Sequence, residues 1–238
     1  MPSARRSRLQ MFTLKMRDYV MASIGALAAL IAIGLIMIAN NNQIPLAHRS
    51  AGITAAWIPL TVKHWDKPIN EMAKKYGIDA NLVAILLTME SGGDSQARSG
   101  VGALGLMQVT PPTAQDIAAK HLKQPVTKYD LMDPRTNIEF GVAYLAWLRD
   151  EFGTAAAADP SYLRTVELIA AGYNGGAGTA SALDKGEGLR DIQPVAYSRD
   201  AYNMWRERAA STSPTFERWR DRGGSALIEA AKQRQEHK

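Results

Sequence analysis

The chain has 238 residues, a net charge of +5, and the apolar and charged content (46% and 21%) of a folded protein rather than a disordered one. It contains no cysteine, which excludes a disulfide framework, a thiolate metal site, a cysteine nucleophile and an acylated-cysteine lipoprotein anchor. The positive charge is spread thinly, without the dense basic stripe that nucleic-acid binding requires.

Residues 1–18 carry Arg5, Arg6, Arg8, Lys15 and Arg17 against Asp18. Residues 19–39 (YVMASIGALAALIAIGLIMIA) carry no charge. As a helix rising ~1.5 Å per residue this run spans about 30 Å, the thickness of a bilayer core. The basic flank before it, with no charge after it until Arg49, predicts a transmembrane helix with a cytoplasmic N-terminus and an exported remainder. A cleaved signal peptide is the competing reading. Its apolar region is usually shorter, and no clear small-x-small site follows the run.

Residues 40–65 read as a tether punctuated by Pro45, Gly52 and Pro59. In it, Trp57 and Trp65 suit either a membrane interface or packing on a domain. Helical signals then dominate from 66 to 210. Lys67-Pro68 opens a helix that Gly77 stops, and Asp79 caps the next, which ends at Glu90. Thr110-Pro111-Pro112 starts a helix running to about His121. Asn137 is the expected cap of another, with Ile138, Val142, Leu145, Leu148 and Phe152 at helical spacing. Asp159-Pro160-Ser161 opens a helix that Gly175-Gly176 closes, and one more is expected from about Ser198 to Ala210. The segment 211–238 reads as a charged tail with one further helix near 225–235, or as a frayed end. No alternating strand pattern or internal repeat appears, so the expected fold is all-α or nearly so.

The chemistry concentrates at Glu90. It follows Leu86 by four residues and Val83 by seven, on one helical face with them, and it stands at the C-terminal end of its helix. Burial disfavours the carboxylate, and the negative helix end disfavours it further, so this group can hold a proton near neutral pH. An isolated Glu is usually solvated, and only its company changes that reading. Ser91-Gly92-Gly93 leaves room for a cleft, and Gly100, Gly102 and Gly105 allow close backbone approach to a bulky ligand. Gln108 offers donors and acceptors suited to sugar hydroxyls and amides. Tyr173-Asn174 ends a helix. Glu167, six residues before Tyr173, lies off the Tyr face and reads as structural. His48, His64, His121 and His237 have no metal-ligand spacing, and no P-loop, dinucleotide or nucleophile-elbow motif is present.

Taken in order, these blocks resemble the lytic transglycosylases of the SLT-domain family. Glu90-Ser91 is similar to the catalytic Glu-Ser motif. Ser99 to Gln108 (SGVGALGLMQ) matches Ser-x-x-Gly-Ala-x-Gly-Leu-Met-Gln, continued by Pro112-Thr113-Ala114. Ala171-Gly172-Tyr173-Asn174-Gly175-Gly176 resembles Ala-Ala-Tyr-Asn-Ala-Gly, with Gly172 in place of the second Ala. Asn137-Ile138, Gly141, Tyr144 and Leu145 also fit, so the likeness covers roughly residues 66–210.

The resemblance implies a lysozyme-like helical domain that cleaves the β-1,4 bond between N-acetylmuramic acid and N-acetylglucosamine in peptidoglycan glycan strands, without a metal or cofactor. It implies Glu90 as sole acid and base. Ser91, Ser99, Met107 and Gln108 would line saccharide subsites, Tyr173 would orient Glu90 or the substrate, and Asn174 would shape the same wall. It also implies an inner-membrane protein anchored through residues 19–39, its catalytic domain in the periplasm. By analogy it suggests service to an envelope-spanning conjugation or secretion complex. The family often carries a Glu-Thr-x-x-Tyr element near the end of the domain. Aligning its Tyr on Tyr202 sets Ser198 at the Glu, so that carboxylate is missing. A hydrolytic muramidase on the same fold and a non-catalytic peptidoglycan-binding scaffold are the alternative readings.

Overall fold

The computed structural model describes residues 52–122, 130–153, 162–187 and 193–237. The chain divides into two units at Asn41/Asn42, and all described residues belong to the second. The transmembrane segment expected at 19–39 lies outside the described residues, among which no helix is long and apolar enough to cross a membrane.

Ten α-helices, counted among the described residues, build this unit. They are α1 (Leu60–Lys63), α2 (Asp66–Tyr76), α3 (Ala80–Ser91), α4 (Pro111–Ile117), α5 (Pro134–Phe152), α6 (Leu163–Gly175), α7 (Ala177–Asp184), α8 (Gln193–Glu207), α9 (Pro214–Trp219) and α10 (Ser225–Glu236). A π turn extends α4 over Ala118–Leu122, and another joins α9 to α10. The described residues contain no strand, only isolated bridges linking Arg98 to Leu104 and Leu104 to Val109.

Helix α3 is the axis of the core. In ANLVAILLTMES every residue except Glu90 is buried. A helix apolar on all sides must be wrapped on all sides, and α2, α8 and α10 all pack against it. Each fully buried Leu or Ile here contributes about 2 kcal/mol from the area it removes from water. Asp79 starts the helix by accepting from the Asn81 N–H at 2.7 Å. Gly92 ends it in the left-handed region (φ 62°). A side chain at Gly92 would sit 2.7 Å from the Leu227 and Ile228 backbone of α10, so close packing as well as φ requires glycine there.

The orphan carbonyls past α3 are satisfied by groups from both ends of the domain. Thr61 Oγ1 donates to Gly92 O at 2.6 Å. Trp65 Nε1 donates to Gly93 O at 2.9 Å, and Gln235 Nε2 donates to Thr61 O at 2.9 Å and to Gly93 O at 3.2 Å. Arg234 pairs with the nearly buried Asp94 at 2.9 Å. Residues read from sequence as tether and tail are thus packed onto the helix that carries Glu90. Trp57 is buried too, donating to Glu207 O at 3.2 Å with its ring 5.4 Å from Phe216.

The expected cap of α5 requires correction. Asp133 caps it, accepting from the Thr136 N–H at 2.8 Å with Pro134 in the first turn. Asn137 is one turn inside and turned into the core, where it accepts from Met107 N (2.7 Å) and donates to Leu104 O (2.8 Å) and Leu131 O (2.9 Å). The start of the next helix expected at Asp159-Pro160-Ser161 lies outside the described residues, which resume at Tyr162 before α6. Helix α8 begins at Gln193, earlier than the periodicity of its apolar residues indicates.

Asn137→Ala leaves Met107 N and Leu131 O without their partner, while Leu104 O keeps the Val109 N–H, and costs about 2 kcal/mol of stability. Urea unfolding of the protein checks this, and a loss below about 1 kcal/mol would mean the loop holds without Asn137.

Candidate active site

Glu90 keeps a partial opening to solvent, unlike its helix neighbours. Its carboxyl is nonetheless sunk among protein atoms, and burial pushes its pKa up from 4.5 to about 7. The Tyr197 hydroxyl donates to Glu90 Oε1 at 2.6 Å. That bond favours the ionised form and pulls partway back. The result is an acid poised to give a proton and take it back near neutral pH.

Tyr197 is the residue that sequence reasoning missed. Aligning the Glu-Thr-x-x-Tyr element on Tyr202 passes over the Tyr that reaches Glu90, five residues earlier. Tyr202 instead stacks under Arg206, with the guanidinium 5.8 Å from its ring. Ser198, set at the missing carboxylate, is buried and bonds Val195 O at 3.0 Å. Anchoring on Tyr197 puts Gln193 at that position. Trying each Tyr of α8 in turn was the available signal, but only the packing of α8 on α3 shows which one reaches Glu90.

The glycine-rich segment after α3 forms a wall held at three points. Ser91 Oγ donates to Leu106 O at 2.7 Å. Asn137 takes the Met107 N–H, and Tyr173 donates to Met107 O at 2.6 Å. Gly105 makes the fold of this loop possible, with φ 71° and a notch in which a Cβ would lie 2.5 Å from Asn137 Nδ2. Leu104 and Val109 exchange backbone bonds at 3.1 Å. Ser99 Oγ accepts from Ala103 N at 3.0 Å.

The predicted wall residues therefore divide by exposure. Ser91 and Met107 are completely buried and have no surface to offer a sugar. They hold the wall from behind, Met107 packing into the space beside Gly141. Ser99, Gln108, Tyr173 and Asn174 remain partly exposed. Gln108 is fixed in the left-handed region (φ 48°), its amide donating to Gly105 O at 2.9 Å and to Ala97 O at 3.2 Å. Asn174 Oδ1 is buried without a hydrogen-bond partner among the described residues, an acceptor whose desolvation a bound donor would relieve. Tyr173 does not bond Glu90, but burial and the charge of Glu90 both push its phenol up, as they do that of Tyr197. Both hydroxyls therefore stay donors. Glu167 pairs with Arg164 at 2.7 Å, away from this chemistry. Among the described residues no three His, Asp or Glu side chains gather as a metal site would need.

A family model for the transglycosylase SLT domain matches residues 67–194, more than half of the chain, and the protein belongs to that family. It is 30% identical over 129 residues to membrane-bound lytic murein transglycosylase E of Buchnera aphidicola, covering 52% of this chain and 58% of that protein. It is 32% identical over 172 residues to membrane-bound lytic murein transglycosylase C of Yersinia enterocolitica, covering 65% of this chain and 46% of that one. The chain thus spans about half the length of these relatives. Among solved structures it is similar to an inactive mutant of the lytic transglycosylase Slt from Pseudomonas aeruginosa, with a TM-score of 0.47 and 24% identity over 63% of this chain and 25% of that one.

Two predictions follow from the raised pKa. The folded state favours protonated Glu90, so its stabilising share is whole below 4.5 and lost as pH rises through about 7. Glu90→Gln removes that titration. It should melt higher than wild type at alkaline pH, with the gap closing toward pH ~4. A gap independent of pH would mean that Glu90 does not titrate as described. Tyr197→Phe removes the donor to the carboxylate, so the alkaline limb of kcat/KM should move to higher pH. A limb that stays fixed or moves down would mean that this hydrogen bond does not tune the acid.

Proposed function

We propose that the protein is a peptidoglycan lytic transglycosylase, cleaving the N-acetylmuramic acid–β-1,4–N-acetylglucosamine bond to leave 1,6-anhydro ends. The observation that carries this reading is an acid, Glu90, held near neutral pKa with the Tyr197 hydroxyl donating to it. Glycosidases ordinarily employ two carboxylates, and substrate-assisted enzymes are the exception.

One carboxyl group suffices if the substrate supplies the rest. Glu90 gives its proton to the glycosidic oxygen as the bond to the anomeric carbon breaks. The N-acetyl oxygen of the same sugar stabilises the positive charge at that carbon. The Glu90 carboxylate then takes the proton of the 6-hydroxyl as that oxygen bonds to the anomeric carbon. Glu90 ends protonated, ready for the next cycle, and no water is consumed. Tyr197 holds the acid in place and supports its anionic stage. Asn174, Ser99 and Gln108 present polar groups to the strand, while Tyr173 fixes the wall through Met107.

The uncharged run 19–39 and its basic flank support an inner-membrane anchor with the catalytic domain in the periplasm. The relatives carry the description membrane-bound. A modest anchored enzyme of this kind suits local wall opening for an envelope-spanning conjugation or secretion complex, a role assigned by analogy alone.

Mass spectrometry of muropeptides released from purified peptidoglycan tests the reaction. Wild type should release anhydro-ended products, and Glu90→Gln should lose at least about 100-fold in rate, the scale of general acid–base catalysis. Reducing-ended products would mean a hydrolase, and full activity in Glu90→Gln would remove Glu90 from the mechanism.

A further inference from the structure

Helix α10 (Ser225–Glu236) lies well beyond residue 194, where the family match ends. The mechanism above uses none of its residues. As a core element this helix is poor. Ala231 is its one fully buried residue, Ile228 and Gln235 are half-buried, and the others are exposed. A helix held by burial alone needs a continuous apolar stripe, and α10 lacks one.

Its polar contacts converge on the turn that follows Glu90. The α10 backbone passes so close to Gly92 that a Cβ there would lie 2.7 Å from Ile228 N. Gln235 Nε2 donates to Gly93 O at 3.2 Å and to Thr61 O at 2.9 Å. Arg234 Nε pairs with Asp94 Oδ2 at 2.9 Å, on a carboxylate side chain only 6% exposed. The other oxygen of Asp94 accepts the Gln96 N–H at 2.8 Å. The turn itself runs back to the residue beside the acid: Gly93 N donates to Ser91 Oγ at 3.2 Å and Asp94 N to Ser91 O at 3.1 Å. Gly92 and Gly93 both sit at positive φ (62° and 99°), where glycine has no side chain to lock the backbone. Outside contacts must therefore fix this turn.

We propose that α10 is a positioning clamp for the acid: through Gln235 on Gly93 and Arg234 on Asp94 it sets how deep the Glu90 carboxyl group lies. The inference rests on the transglycosylase reading above and adds two positioning residues that act on Glu90 without touching substrate. A side chain on the last turn of a helix moves with that turn. With the clamp gone the end of α3 shifts, and water reaches the carboxyl group. Burial is what lifts Glu90 to about 7, so partial exposure lets it fall back toward 4.5. Few groups bear on its proton. Tyr197 of α8 donates to it, and Tyr173 of α6 has its phenol raised by the Glu90 charge. Neither α2 nor α10 brings a charge that shifts it, and Asp94 and Arg234 are paired with each other. The clamp therefore acts through depth and not through charge.

The test uses the full chain, solubilised in detergent and assayed on purified peptidoglycan at a temperature where circular dichroism shows each variant folded. Gln235→Ala should lower kcat about tenfold and leave KM within about twofold, the pattern of a displaced acid beside an intact binding wall. Its alkaline limb of kcat/KM should move to lower pH, opposite to the move expected of Tyr197→Phe. Arg234→Ala should do the same, and Arg234→Lys, which keeps a cation for Asp94, should recover most of the loss. Lys232→Ala, on the exposed side of α10, should change neither rate nor limb. Each variant is also made with Glu90→Gln, and the pairs are melted from about pH 4 to about pH 9, which reads the Glu90 titration without any activity. The alkaline gap within the Gln235→Ala pair should be smaller than within the parent pair. A lower kcat with an unmoved limb and an unchanged gap would mean that Gln235 only adds stability, and would overturn the clamp. An unchanged kcat would overturn it too, as would a limb that moves to higher pH. If the parent chain releases no products, the transglycosylase reading falls and the paired melts alone decide the clamp. Normal products with an unchanged gap remove only the clamp.

Discussion

Burying a carboxyl group at the end of an apolar helix costs free energy, and the architecture around α3 makes that burial tolerable. A Glu in this position is stable when neutral, and the surroundings keep it near the balance point instead of forcing either form. Tyr197 supplies one donor, enough to support the anion when it forms but too little to return the pKa to its ordinary value. A stronger partner such as an Arg would hold the group permanently ionised and useless as an acid. No donor at all would raise the pKa further and make proton return harder.

Holding that balance requires the helix end to stay still. The carbonyls past Ser91 receive side-chain donors from Thr61, Trp65 and Gln235, which come from the two ends of the folded unit. Asp94 and Arg234 add a pair with one partner nearly buried. Stability and function meet here, because the groups that close the domain also fix the reference position of Glu90.

The opposite wall is built by the same logic. A loop rich in glycine has little intrinsic preference for one shape and must be tied down. Ser91, Asn137 and Tyr173 each spend their polar atoms on backbone groups of residues 104–107. Sequence motifs of this kind look like a list of substrate contacts. In the folded protein several are fasteners, and Ser91 and Met107 never reach the surface. Ser99, Gln108, Tyr173 and Asn174 are the residues that keep a partly exposed face.

The sequence by itself determined the helical class, the placement of α2, α3 and α4, and Glu90 as the candidate acid. These follow from local signals: caps at Asp79 and Thr110, a stop at Gly77, and an apolar run that ends at Glu90. It did not place Tyr197, the inward turn of Asn137, or the docking of residues 53–65 and 213–236 on the domain. An Asn one turn inside a helix has the same local signature as an Asn at its start, so the chain alone does not tell Asn137 from a cap. Two of its three partners, at 104 and 107, lie 33 and 30 residues away. Tyr197 and Tyr202 stand on one helix with similar neighbours, and only the way α8 crosses α3 decides which hydroxyl meets the carboxyl group. Local chemistry is written along the chain, but contacts between residues a hundred positions apart exist only once the helices have packed.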